Sequence, residues 1–100
     1  MSQLHQPSVL SLLDEVHQEI NRAVLKFPTW PDDPIHAGNI VAEEAGELSK
    51  AILQCTYEPH KSDEAAVREE AIQTAAMAVR FLLSLERYNW ACSAQHSQKL

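Results

Sequence analysis

The sequence predicts an all-α fold, a compact bundle of three main helices completed by oligomerisation, with a short fourth helix at its C-terminal end. Three observations carry that reading. Apolar residues recur at helical spacing through three long segments. No stretch shows the apolar–polar alternation of a strand. A proline run and a polar loop stand where a bundle needs its two connections. One domain, 1–100, accounts for the chain, with its core in 8–87 and flanking segments at 1–7 and 88–100.

The first helix is expected from about Ser8 to Lys26. Its apolar positions Val9, Leu13, Val16, Ile20, Ala23 and Phe27 advance by fours and threes, a single stripe. The segment Phe27-Pro-Thr-Trp-Pro-Asp-Asp-Pro34 ends it, because three prolines cannot continue a helix. The second helix is expected from Ile35 or His36 to Thr56, with Asp33 as cap and Pro34 suited to the first turn. Ala37, Val41, Leu48, Ile52 and Cys55 share one of its faces. Residues 57–62 read as a loop, and Ser62 or Asp63 caps a third helix running to about Arg87. That helix is apolar around half its circumference, which implies more than one neighbour. The end of the chain, 88–100, is either a short fourth helix or a segment that docks on a partner chain.

Composition narrows the function. Fourteen acidic against eight basic residues give a net charge of −6 in a chain of 100. That balance offers no footprint for duplex nucleic acid or an anionic membrane. The two glycines, Gly38 and Gly46, stand eight apart, too far for a phosphate-cradling glycine loop. Phosphate chemistry in this chain therefore has to run through a metal ion. Cys55 and Cys92 have no metal-ligand spacing and read as reduced thiols in a cytoplasmic protein. The N-terminus lacks the pattern of a signal peptide, and no apolar run reaches the ~18 residues of a membrane span.

The second helix carries the anomaly. At 100° per residue, Glu44 falls inside the apolar arc, Glu47 on its edge and Glu43 beyond it. A carboxylate in an apolar stripe is costly unless a cation or hydrogen bonds meet it. Glu44 and Glu47 are three apart and project together, which is how a helix offers hard oxygen ligands to Mg²⁺. The bland alternative is a pair of solvated glutamates on a wet face. Gly46, between them, costs a helix interior roughly 1 kcal/mol relative to Ala, and a close-approach role would justify it. On the third helix, Glu70 and Gln73 repeat the three-residue spacing beside the apolar arc, although a glutamate in an early turn also complements the helix dipole.

Together these stretches resemble the MazG-like all-α nucleoside triphosphate pyrophosphohydrolases. Their signature is Glu-x-x-Glu on one helix and Glu-x-x-Asp on the next. Glu44-Ala-Gly-Glu47, followed by Leu48 and Lys50, matches the first half; Glu70-Ala-Ile-Gln73 stands where the second belongs, after a spacer of 22 residues. The resemblance covers about residues 8–87. It implies a homodimer or homotetramer that holds Mg²⁺ (or Mn²⁺) and splits a nucleoside triphosphate to monophosphate and pyrophosphate. On that likeness Glu44, Glu47 and Glu70 are the catalytic and metal-binding carboxylates, and Gln73 fills a fourth metal position. A carboxylate or a metal-bound hydroxide would activate the attacking water.

Gln73 departs from the pattern, since it is neutral where the family has aspartate. An enzyme with an altered metal shell, a weak enzyme, and a helical oligomerisation or nucleotide-binding module without turnover all remain open. Lys50, His36, Asn39 and Arg80 are candidate substrate contacts, each with a plain surface reading beside it. Trp30 either stacks a base or plugs the open end of the bundle. Met77 and Phe81 line a base pocket or belong to the core.

Overall fold

The structure, a computed structural model, describes residues 6–92. The described residues form three long helices, α1 (Val9–Lys26), α2 (Pro34–Tyr57) and α3 (Glu64–Leu83), with a 3₁₀ turn at Leu85–Arg87. Among the described residues there is no strand. Each helix starts where a capping side chain takes up an orphan N–H. Ser8 accepts from the Ser11 amide, Asp33 from that of Ile35 and Asp63 from that of Ala66. Pro34 occupies the first turn of α2, where its missing N–H costs nothing.

The helices run up, down and up. The Arg68 guanidinium forks onto both carboxylate oxygens of Glu15, and Arg80 donates to the Phe27 carbonyl twelve residues further along each helix. α1 and α3 are therefore parallel. The Asn89 amide donates to the Asp32 carbonyl, 3.2 Å away, which places the start of α2 beside the end of α3. α3 packs against both other helices, whereas α1 and α2 make no close backbone approach to each other among the described residues. The broad apolar arc of α3 has the two neighbours it called for. A groove opens over α3 between the outer helices.

The buried stripe of α2 runs through Ala37, Val41, Glu44, Leu48, Ala51 and Cys55. Ile52, expected on that face, is exposed. α1 differs more: Val16 is buried and Ile20 and Ala23 half-buried, but Val9, Leu13 and Phe27 are exposed. Glu15 is level with Arg68, so Val9 lies just beyond the start of α3 and has nothing to pack on. Leu13 and Phe27 lie level with Ala66 and Arg80, beside α3, and nothing in the structure explains their exposure.

α3 ends at Leu83, four residues before the expected Arg87. The Ser84 amide turns back to the carbonyls of Phe81 and Leu82, tightening the chain into the 3₁₀ turn. Tyr88 then folds against the end of α3. Its ring lies 5.0 Å from that of Phe81 and 5.7 Å, edge to face, from that of Trp90. Residues 88–90 thus belong to the fold rather than to a flanking tail. The rest of the expected fourth helix, beyond residue 92, lies outside the described residues.

The core of one chain is thin. Its buried apolar residues are Val16, Ala37, Ala51, Ala76 and Tyr88, and no large side chain is fully enclosed. Leu10, Leu25, Ile35, Leu82 and Leu83 are all exposed. No helix among the described residues is long and apolar enough to cross a membrane.

Candidate functional site

Glu44 reaches the groove because α2 turns its stripe toward α3, and position 44 lies in the middle of that stripe. Its carboxyl is half-buried. Its pKa is raised above the ordinary glutamate value, first by burial and then by the charges of Glu70, Glu47, Glu19 and Glu43. Each repelling charge disfavours the ionised form. None of the ion pairs among the described residues engages Glu44, Glu47 or Glu70; the three are Arg22–Glu19, Lys61–Glu58 and Arg68–Glu15.

The groove encloses about 820 Å³ and draws on all three helices and the proline-rich connection. Glu44 and Glu43 from α2 and Gln73 and Glu69 from α3 form its acidic stretch, which Glu19 of α1 flanks. Its other end lies where α1 finishes, α2 begins and α3 finishes. There Lys26, His36 and Arg80 line it together with Phe27 and Trp30. The groove is acidic in the middle and basic at the connection end.

That basic end is held by a small network. Arg80 is buried, 7% exposed, and its Nη2 donates to the Phe27 carbonyl at 3.0 Å. Its guanidinium carbon lies 4.7 Å from the centroid of the Trp30 ring. The Trp30 indole Nε1 donates to the Tyr88 hydroxyl at 2.6 Å, and that hydroxyl donates to the Phe81 carbonyl at 3.1 Å. Burial pulls the Arg80 pKa below the usual arginine value.

The structure gathers some of the sequence candidates and separates others. Glu44, Gln73, His36, Trp30 and Arg80 line one groove. Glu70 is half-buried near Glu44 and Glu47 is exposed, and neither lines the groove. Lys50 and Asn39 are exposed and do not line it. Trp30 is half-buried at the end of the bundle, with its N–H donated to Tyr88 and the Arg80 guanidinium against its ring. Met77 lines the groove, while Phe81 packs on Tyr88. A Cβ built on Gly46 meets nothing within 4 Å, so the glycine has no close-approach role within one chain.

Sequence reasoning missed Glu19, Lys26 and Tyr88. Glu19 carried a weak signal, since it borders the Val16–Ile20 stripe of α1. Tyr88 carried none, because its role depends on a turn that helical periodicity does not encode.

No protein-family model matches the chain, and neither does any curated protein or solved structure compared with it. The residues themselves must therefore answer whether a divalent cation fits. Among the described residues no three His, Cys, Asp or Glu side chains are gathered closely enough to hold a metal as they stand. Carboxylates are donors of the kind a hard divalent cation takes, and the charges of Glu70 and Glu47 disfavour the ionised form of Glu44. Rotation of exposed Glu47 and half-buried Glu44 and Glu70 would be needed to close the set.

Proposed function

We propose that the chain is a metal-dependent nucleoside triphosphate pyrophosphohydrolase, converting (d)NTP to (d)NMP and pyrophosphate in the housekeeping of nucleotide pools. The observation that carries this reading is Glu44: a half-buried carboxyl in the apolar stripe of α2, with its pKa raised by burial and by the charges of Glu70 and Glu47, and in none of the ion pairs among the described residues. The likeness of the acidic motif to MazG-like enzymes supplies the reaction. The two free thiols suit a reducing cytoplasm.

Glu44, Glu47 and Glu70 would hold Mg²⁺ or Mn²⁺, with the Gln73 amide oxygen as a neutral fourth donor. The bound cation neutralises charge on the triphosphate and on the leaving pyrophosphate. A triphosphate carries about four negative charges, which an acidic groove would otherwise repel. A carboxylate of this set not engaged on the cation would take the proton of the attacking water. His36 and Arg80 at the basic end would meet phosphate oxygens, with Lys50 and Asn39 as outer contacts and Trp30 closing the end.

Assembly is part of this proposal. A chain with so thin a core and with leucines such as Leu25, 86% exposed, bare to water needs a partner to cover them, and a homodimer or homotetramer supplies it.

Release of pyrophosphate from each NTP and dNTP with Mg²⁺ or Mn²⁺ tests the activity. The expected result is metal-dependent release that Glu47→Ala abolishes; silence with every substrate overturns it. A second reading is favoured by the neutral Gln73 and by carboxylates that do not converge as they stand: a helical oligomerisation or nucleotide-binding module without turnover. Binding of dNTP without pyrophosphate release would establish that reading.

A further inference from the structure

Arg80 is a buried cation with no buried anion. Arg22, Lys61 and Arg68, all far more exposed, each pair with a carboxylate, whereas no carboxylate among the described residues meets Arg80. A guanidinium taken out of water without an anion is expensive to keep, and its fork of five N–H donors is only partly used by the Phe27 carbonyl. The side chain is 7% exposed and lines the groove that also holds Glu44 and Gln73. Lys26 from α1 and His36 from α2 line the same end.

We propose that Arg80 is the receptor for a phosphate oxyanion of the ligand, with Trp30 as the platform that fixes the guanidinium plane. Arginine suits this task because its planar fork matches two phosphate oxygens at once. The Phe27 carbonyl and the Trp30 ring hold that plane in place before any ligand arrives. Arg80 lies seven residues beyond Gln73, about 10 Å along α3 at 1.5 Å per residue. A ligand that spans from the acidic stretch to Arg80 is therefore extended, with its phosphate at the Arg80 end. Trp30 acts through Arg80 and is a positioning residue, not a base-stacking surface on that face. This deepens the nucleotide reading above, but the Arg80 site needs no metal and can be tested without one.

The probe is inorganic pyrophosphate, titrated in excess chelator at constant ionic strength and followed by NMR of the arginine Nε–H and tryptophan Nε1–H signals. The wild-type chain should show saturable shifts at Arg80 and Trp30. Arg80→Lys should weaken binding by about tenfold, since the fork becomes a point charge, and Arg80→Gln should abolish it. Trp30→Leu should weaken binding, and Trp30→Phe, which keeps an aromatic face but loses the indole N–H bond to Tyr88, should weaken it less than Trp30→Leu at the same thermal stability as that variant. Absence of saturable shifts in the wild type overturns the site, a result that needs no variant to fold. Arg80→Lys binding as tightly as wild type also overturns it. Saturable binding in chelator with no hydrolysis in Mg²⁺ upholds the Arg80 site and overturns the enzyme; hydrolysis without chelator-resistant binding does the reverse.

Discussion

The Trp30 indole nitrogen donates to the Tyr88 hydroxyl at 2.6 Å, a bond that joins the proline-rich connection to the end of the chain's third helix across 58 residues. The same hydroxyl donates to the Phe81 carbonyl. Together with the Asn89–Asp32 backbone bond, it closes the end of the bundle where Arg80 is lodged. The site's basic end thus depends on residues that follow the last long helix.

Tyr88→Phe removes one oxygen, which leaves the Trp30 N–H without its acceptor and the Phe81 carbonyl with the Ser84 amide alone. Tyr88 is only 5% exposed, so water replaces those bonds poorly. The expected loss is about 1–3 kcal/mol of stability, read by urea denaturation. An unchanged midpoint would show that the closure does not hold the end of the bundle.

Gly46→Ala should stabilise the protein. The position is exposed in the interior of α2, and an added Cβ has open space. Alanine is better than glycine there by roughly 0.5–1 kcal/mol. Chemical denaturation of the two proteins measures it. A loss of stability instead would mean that another chain approaches α2 at Gly46, and equilibrium sedimentation of the variant would then show weakened assembly.

The elements were legible because caps and prolines are local: Asp33, Pro34 and Asp63 mark helix starts wherever the chain then goes. The position of Glu44 was legible for the same reason, since its place in the apolar arc is a matter of angle alone. The exposure of Val9 was not, because it follows from how far α1 slides along α3. Nor was Arg80's setting. Its partners are a carbonyl at Phe27 and a ring at Trp30, brought to it by the turn of the proline-rich connection, and no periodicity reports such a contact.

The raised pKa of Glu44 fixes the sign of a pH dependence. Between the ordinary glutamate value and the raised one, the folded chain holds a proton that the unfolded chain has released, so stability falls as pH rises through that window. In chelator, Glu44→Gln should therefore be more stable than wild type at neutral pH and should flatten the loss above the window. Glu15 acts in the opposite direction. Its hydrogen bonds from Arg68 hold its pKa below the usual value, so its contribution is present at neutral pH and fades as pH falls through that lowered value. Thermal melts of wild type, Glu44→Gln and Arg68→Ala across pH 3–8 ~1 unit apart separate the two. A Glu44→Gln curve parallel to wild type would refute the assignment.

Gln73→Asp sets the metal proposal against simple electrostatics, and the two require opposite signs in the same protein. Gln73 is half-buried and lines the groove with Glu44. Without metal, an added carboxylate joins a set that already raises the Glu44 pKa, so the variant should melt below wild type in chelator. With a divalent cation, the new charge replaces a neutral amide donor. Affinity for Mg²⁺ should then rise by about tenfold, or 1.4 kcal/mol, and turnover of the preferred dNTP should rise with it. Calorimetric Mg²⁺ titration and melts in chelator and in Mg²⁺ read both halves. A variant destabilised in chelator and not rescued by Mg²⁺ would mean that the carboxylates of α2 and α3 face each other without holding a cation between them.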